Sequence, residues 1–220
     1  MLFPRQIRAV VFDMDGLLID TEALIRGLMT DLAPRFGATL PEDVFQRMVG
    51  LPNADSDAVA RAHFGPDFPL EAFFQDVERE VHAACEAGVA LKAGVVELLD
   101  HLDVDRIPRA IATSSSHRAV KRTLGPSGVL PRFDAVVAAG DYARGKPNPD
   151  PFLTAAARLG VAPESCLALE DSHNGVRAAH AAGMMTVMVP DLLPATDEMR
   201  ALCLTIAPSL HDVRAMLAPR

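Results

Sequence analysis

Three things are scarce in this 220-residue chain, and each shortage removes a class of explanation. Cysteine occurs only at Cys85, Cys166 and Cys203, widely separated and odd in number. With no Cys-x-x-Cys pair, neither a zinc site nor a disulfide framework is indicated, and Cys166, in the run Cys166-Leu167-Ala168-Leu169, reads as a small core residue. Long apolar runs are missing: none approaches the ~20 residues that span a bilayer, and Met1 to Arg8 holds no apolar stretch of the signal-peptide kind. The expectation is a cytoplasmic protein without a membrane partner. Positive charge is also short, with 21 Lys and Arg against 29 Asp and Glu, a net charge of −8. That balance argues against a nucleic-acid surface, although a few concentrated cations and a metal can still bind phosphate esters. The seven histidines include no His-Glu-x-x-His spacing, and no internal repeat or low-complexity tract occurs.

What remains is ordinary for a globular protein: half the residues are apolar and 23% are charged. The length suffices for one domain, or for one domain carrying a small insertion.

The most informative stretch runs from Val10 to Glu22. An apolar run, Ala9 to Phe12, ends in two carboxylates two positions apart, Asp13 and Asp15, followed by Gly16. A strand ending at Asp13 lets the chain curl, so both carboxylates can converge beyond the carboxyl edge of a sheet, where open α/β sheets place ligands. An acidic turn is the plain alternative. An EF-hand calcium loop fits less well, because its glycine is sixth in the loop and Gly16 would be fourth.

Between Asp20 and Gly88 the pattern is helical. Ile25, Leu28, Met29, Leu32 and Phe36 recur at helical spacing up to Gly37. A second helix starts at Pro41-Glu42-Asp43 and stops near Gly50, a third covers Asp55 to Phe64, and a fourth runs from Leu70 to Glu86. From Val89 onward strands and helices alternate. The strands are Arg109 to Thr113, Ala135 to Ala138, Cys166 to Glu170, Thr186 to Val189 and Leu204 to Ile206. Helices fall at Gly94 to Leu102, His117 to Leu124, Asp150 to Leu159, Gly175 to Ala182 and Leu210 to Leu217. This predicts an α/β fold with a doubly wound parallel sheet, formed by residues 1–18 and 90–220, into which residues 19–89 are inserted as a helical unit.

Three further clusters follow strands of that sheet. Thr113-Ser114-Ser115-Ser116 offers hydroxyls and amides to an anion, or simply caps a helix. Gly145-Lys146-Pro147-Asn148-Pro149-Asp150 fixes a lysine that can neutralise phosphate, or leaves it solvated; the isomer of the Lys146–Pro147 bond is open at this level. Glu170-Asp171, ending an apolar strand, are oxygen ligands suited to magnesium, or an acidic cap for the next helix. Capping alone does not account for four such clusters in this order.

Together the four clusters resemble the four motifs of the haloacid dehalogenase-like hydrolases, in the subgroup with a helical cap after the first strand. The resemblance implies a phosphatase acting on a small phosphorylated metabolite, with sugar or polyol phosphates as the expected class and Mg2+ as cofactor. Carried over by position, Asp13 would be the nucleophile, forming an aspartyl-phosphate, and Asp15 the general acid and base. Asp13, the Asp15 backbone carbonyl, Asp171 and Glu170 would hold the metal. Thr113 and Ser114 would bind phosphoryl oxygens, and Lys146 would offset their charge. The alternative is a sugar phosphomutase of the beta-phosphoglucomutase type. Such mutases look to need a cap histidine shortly after the first motif, where this chain has Leu24, Ile25 and Arg26. The dehalogenase branch would have no use for Asp15 or Glu170-Asp171. A non-catalytic binding protein would be expected to have lost one of Asp13, Asp15, Lys146 or Asp171. Glu22 and Arg47 are candidates for facing substrate from the cap, against a role in surface ion pairs. A monomer is the default.

Overall fold

The computed structural model describes residues 3–48 and 53–218. Its centre is β1, Ala9–Phe12, a four-residue strand buried on both faces, as expected of an interior parallel strand. β1 pairs in parallel with β2 (Arg109–Ser116) on one side and β4 (Cys166–Glu170) on the other, with Val11 opposite both Ala110 and Ala168. Adding β3 (Ala135–Ala139), β5 (Met185–Met188) and β6 (Thr205–Ile206) gives a six-stranded parallel sheet in the order β3-β2-β1-β4-β5-β6. The chain therefore winds outward from β1 first to one edge and then to the other. Crossovers that diverge from one strand leave a crevice at its carboxyl end.

Side chains alternate across the sheet and divide the core in two. Val10 and Phe12 of β1 pack with Leu98, Leu99 and Leu102 of the helix Val95–Val104 (α5 in chain order) and with Leu210 and Val213 near the C-terminus. Ala9 and Val11 face the opposite layer, built from Phe152, Ala155 and Ala156 of the helix Asp150–Leu159 (α7) and Ala178 and Ala179 of the helix His173–Ala181 (α8). Small residues dominate this second layer, so α7 and α8 lie close against the strands. Cys166 is fully buried there, as its sequence context indicates, and burial pushes its thiol up to about 11.

The inserted segment holds α1 (Thr21–Leu32), α2 (Glu42–Met48), α3 (Asn53–Phe64) and α4 (Leu70–Ala87). These helices bury a core of their own around Met29, Leu32, Phe45, Leu70, Phe73 and Val77. Phe64 stacks on Phe68 at 4.2 Å between ring centroids, and Phe36 and Phe74 set their rings against Phe73. The predicted end of α2 near Gly50 lies outside the described residues. The two connections to the sheet pair with each other: the Asp20 amide donates to the Ala90 carbonyl at 3.3 Å and the Lys92 amide to that of Leu18 at 3.0 Å. Lys92 Nζ also reaches Asp191 at 2.5 Å and Asp20 at 3.6 Å, which ties both connections to the loop after β5.

The remaining helices are α6 (His117–Leu124), α9 (Asp197–Leu202) and α10 (Leu210–Leu217). The sequence pattern does not predict α9, a six-residue helix capped by the Thr196 hydroxyl, which accepts from the Met199 amide. β2 runs on through Ser116, three residues beyond the predicted end at Thr113.

Candidate active site

Four chain segments meet at the carboxyl end of β1, three bringing charged groups and one, Thr113 to Ser116, bringing hydroxyls. Asp13 follows the strand directly, and its amide still donates to the Leu169 carbonyl of β4 at 2.9 Å, which extends the sheet pairing by one residue. Gly16 then turns the chain at φ 84°, in the left-handed region, and a Cβ there would strike the carboxylate of Asp171. Glycine is required on both counts.

The Lys146 loop is stapled at its base. The Arg144 amide and guanidinium both donate to Asp150, at 3.1 Å and 2.9 Å, and the Asn148 amide donates to the Gly145 carbonyl at 3.0 Å. The Lys146–Pro147 bond is cis. Held this way, Lys146 Nζ donates to Asp13 Oδ1 and to Glu170 Oε1, each at 2.5 Å, and lies 5.1 Å from the centre of the Phe152 ring. Its side chain is only 6% exposed, so this lysine is a buried cation rather than a solvated one.

Glu170 is fully buried. Its Oε2 accepts from the amides of Asp171 and Ser172, both at 3.1 Å, and from the Ser172 hydroxyl at 3.0 Å. Oε1 is thereby aimed at Lys146 and Asp13. The carboxylate occupies the space that a Cβ on Gly175 would fill, so α8 can begin here only with glycine at that position. Ser172 caps α8 by accepting from the Gly175 amide at 3.1 Å, so capping and site geometry share the same residues.

Asp15 is held by two hydroxyls. Ser115 donates to its Oδ2 at 2.8 Å, and Thr21, the first residue of α1, donates to its Oδ1 at 3.2 Å. Thr113 is buried, its Oγ accepts from the Ser115 amide at 3.0 Å, and its carbonyl accepts from the hydroxyl of Tyr142 at 3.1 Å. Ser114, the next residue, is exposed at the end of β2. Ser116 serves as the cap of α6.

Asp13, Glu170 and Asp171 each offer an oxygen, all within 4.8 Å of one another, and all three residues are buried. Three buried carboxylates against one lysine leave excess negative charge, which is costly unless a cation offsets it. The oxygen-only donor set fits a hard divalent ion such as Mg2+. The excess of negative charge bears on Asp13. Burial raises the Asp13 carboxyl to about 8; Lys146 opposes the rise, while Glu170 and Asp15 add to it. Burial would lower the Lys146 ammonium, but Asp13 and Glu170 outweigh it and hold the group above its ordinary value.

Of the residues singled out from sequence, the structure thus joins Asp13, Lys146, Glu170 and Asp171 directly. It sets Asp15 beside them through the turn at Gly16, and Thr113 and Ser114 on the adjacent strand end. Arg47 forms an exposed ion pair with Asp43 at 3.8 Å, and the side chain of Glu22 lies outside the described residues. His173 faces the Pro194 carbonyl at 3.0 Å, away from the carboxylate cluster. Ser115 and Tyr142 carry no individual signal in the sequence, and Thr21 reads there only as a helix cap.

A family model described as haloacid dehalogenase-like hydrolase matches residues 7–183. A Drosophila melanogaster protein named "Probable pseudouridine-5'-phosphatase" is 36% identical over 196 residues, covering 85% of this chain and 83% of its own. "Phosphorylated carbohydrates phosphatase" of Thermotoga maritima is 33% identical over 178 residues, covering 81% and 82%. Among solved structures, a "putative beta-phosphoglucomutase" from Thermotoga maritima superposes with a TM-score of 0.82 at 29% identity, over 96% of this chain and 98% of that one.

Proposed function

The chain belongs to the haloacid dehalogenase-like hydrolases and is a phosphoric monoester hydrolase, and from that premise we propose that it releases phosphate from a small phosphorylated carbohydrate through an aspartyl-phosphate on Asp13. The observation that carries this reading is the contact of Lys146 with both Asp13 and Glu170, in a buried cluster completed by Asp171. Asp13 is the nucleophile: a carboxylate oxygen attacks phosphorus, the bond to the leaving oxygen breaks, and the phosphoryl group passes to Asp13. Asp15 gives a proton to the leaving oxygen and then takes one from the water that hydrolyses the acyl phosphate, which restores Asp13. Thr113 and the Ser114 amide hold phosphoryl oxygens, and Lys146 offsets their charge. Asp13, Asp171, Glu170 through Oε1 and the Asp15 carbonyl would hold Mg2+. When bound, that ion would screen an anionic nucleophile from an anionic phosphate.

We read residues 19–89 as a cap hinged at the paired connections around Asp20 and Ala90, and we place the substrate between cap and sheet, where closure excludes water. The cytoplasm is the proposed setting, in keeping with three free cysteines and with the fact that no helix among the described residues is long and apolar enough to cross a membrane.

The test is an acid quench of a single turnover with 32P-labelled phosphorylated sugar. The wild type should retain acid-stable label on protein, and Asp13→Asn should retain none. Turnover by wild type with no trapped label, and turnover by Asp13→Asn, would each overturn the assignment. The likeness to the Thermotoga structure keeps a phosphomutase as the second reading, distinguished by isomerised sugar phosphate in place of free phosphate.

A further inference from the structure

Helix α6, His117–Leu124, reads HRAVKRTL and holds no carboxylate, in a chain whose net charge is −8. Val120, Thr123 and Leu124 are buried, so Arg118, Lys121 and Arg122, at i, i+3 and i+4, share the face turned away from them. That face is the wall of a cavity of about 510 Å3 whose opposite wall is the cap helix α4, through His82 and Glu86, with Pro126 at one end.

Two facts separate this cluster from an ordinary solvated face. Arg118 stands in the first turn of α6, where the helix dipole disfavours a cation, so complementing the dipole does not account for it. None of the three cations pairs with a carboxylate among the described residues, and the Arg122 Nε is buried with no hydrogen-bond partner. Three like charges crowded on one face repel one another, and an anion in the cavity would relieve that repulsion. Three cations against Glu86 leave a positive excess matched to a doubly charged group.

We propose that this groove is a second, non-catalytic site that takes a phosphate-bearing anion. Because its walls are one cap helix and the core helix capped by Ser116 beside Thr113, an occupant bridges cap and core and restrains their separation. The site adds to the catalytic reading and does not depend on it.

Isothermal titration of the metal-free protein with inorganic pyrophosphate tests the proposal. Without metal the catalytic cluster is rich in carboxylates and repels anions, so binding reports the groove. The wild type should bind pyrophosphate, and Lys121→Glu/Arg122→Glu should bind it at least about tenfold more weakly. The same variant should turn over p-nitrophenyl phosphate with Mg2+ within about twofold of wild type, which verifies its fold. If that variant does not fold, Lys121→Gln carries the comparison, with a loss of about threefold. Equal affinity in wild type and variant, or no binding by wild type at millimolar pyrophosphate, would overturn the site.

Discussion

In the proposed mechanism Asp15 both gives and takes a proton, so its carboxylate has to keep one orientation through two chemical steps. Ser115 and Thr21 supply that restraint, one oxygen each, from opposite sides of the crevice. Removing the carboxylate, as in Asp15→Asn, should lower kcat by about 10²–10⁴-fold, the usual worth of a positioned proton-transfer group. A hydrogen bond to a charged group contributes about 1.5–3 kcal/mol. With Thr21 still in place, Ser115→Ala should cost about tenfold in kcat and leave KM nearly unchanged, as steady-state kinetics would show. Asp13, Asp15, Lys146 and Asp171 were legible because each interrupts a recognisable run of apolar or turn residues. Ser115 and Thr21 were not, since a hydroxyl near a helix start carries no signal for a carboxylate 100 residues away in one case and six in the other. The same scale holds an acid-sensitive contact outside the site. The Arg158 guanidinium, the Ala138 amide and the His117 ring hold the Asp141 carboxyl well below its usual range. The unfolded chain protonates Asp141 near pH 4 while the folded one still resists, so this contribution is full above about pH 4 and lost as the pH falls below it. Thermal melts of Asp141→Asn should therefore show a flatter decline from pH 4 to pH 2 than wild type.

At the scale of elements, two glycines decide how closely the segments approach. Gly175 lets the first turn of α8 sit against the Glu170 carboxylate, and Gly16 lets the first turn after β1 sit against Asp171. In Gly175→Ala the new methyl group would displace a buried carboxylate already fixed by four donors, at a cost of about 1–3 kcal/mol. A lowered Tm with weakened Mg2+ binding is expected. Gly27 is the contrast: it lies inside α1 with nothing within 4 Å of a built Cβ, so Gly27→Ala should stabilise by about 1 kcal/mol. Urea denaturation of the two variants should therefore move in opposite directions. Most strands and helices were legible because their apolar spacing is regular. β2 outran its predicted end because Ser114, Ser115 and Ser116 look like a loop by composition, yet β3 pairs with Ser116. α9 is not legible because its six residues, Asp197–Leu202, carry too little periodicity.

Across the whole molecule, the parallel order places β1 at the centre, so the crossovers on either side deliver Thr113, Lys146 and Glu170-Asp171 to one edge. That convergence was readable from alternation alone, since right-handed crossovers leave few other arrangements. The contact of Lys146 with two carboxylates was not readable, because it depends on the depth to which the alanine-rich layer lets α7 approach the sheet. The inserted helices carry no comparable signal, because their core is built of ordinary aliphatic and aromatic residues such as Leu32, Val44, Leu70 and Phe73. The central claim, a metal-dependent phosphate release at Asp13, has a direct measurement: inorganic phosphate freed from a panel of sugar, polyol and nucleotide monophosphates, with and without Mg2+, by wild type and Asp13→Asn. The account predicts release from at least one sugar or polyol phosphate that disappears with EDTA and in the variant. Release that survives either change would contradict it.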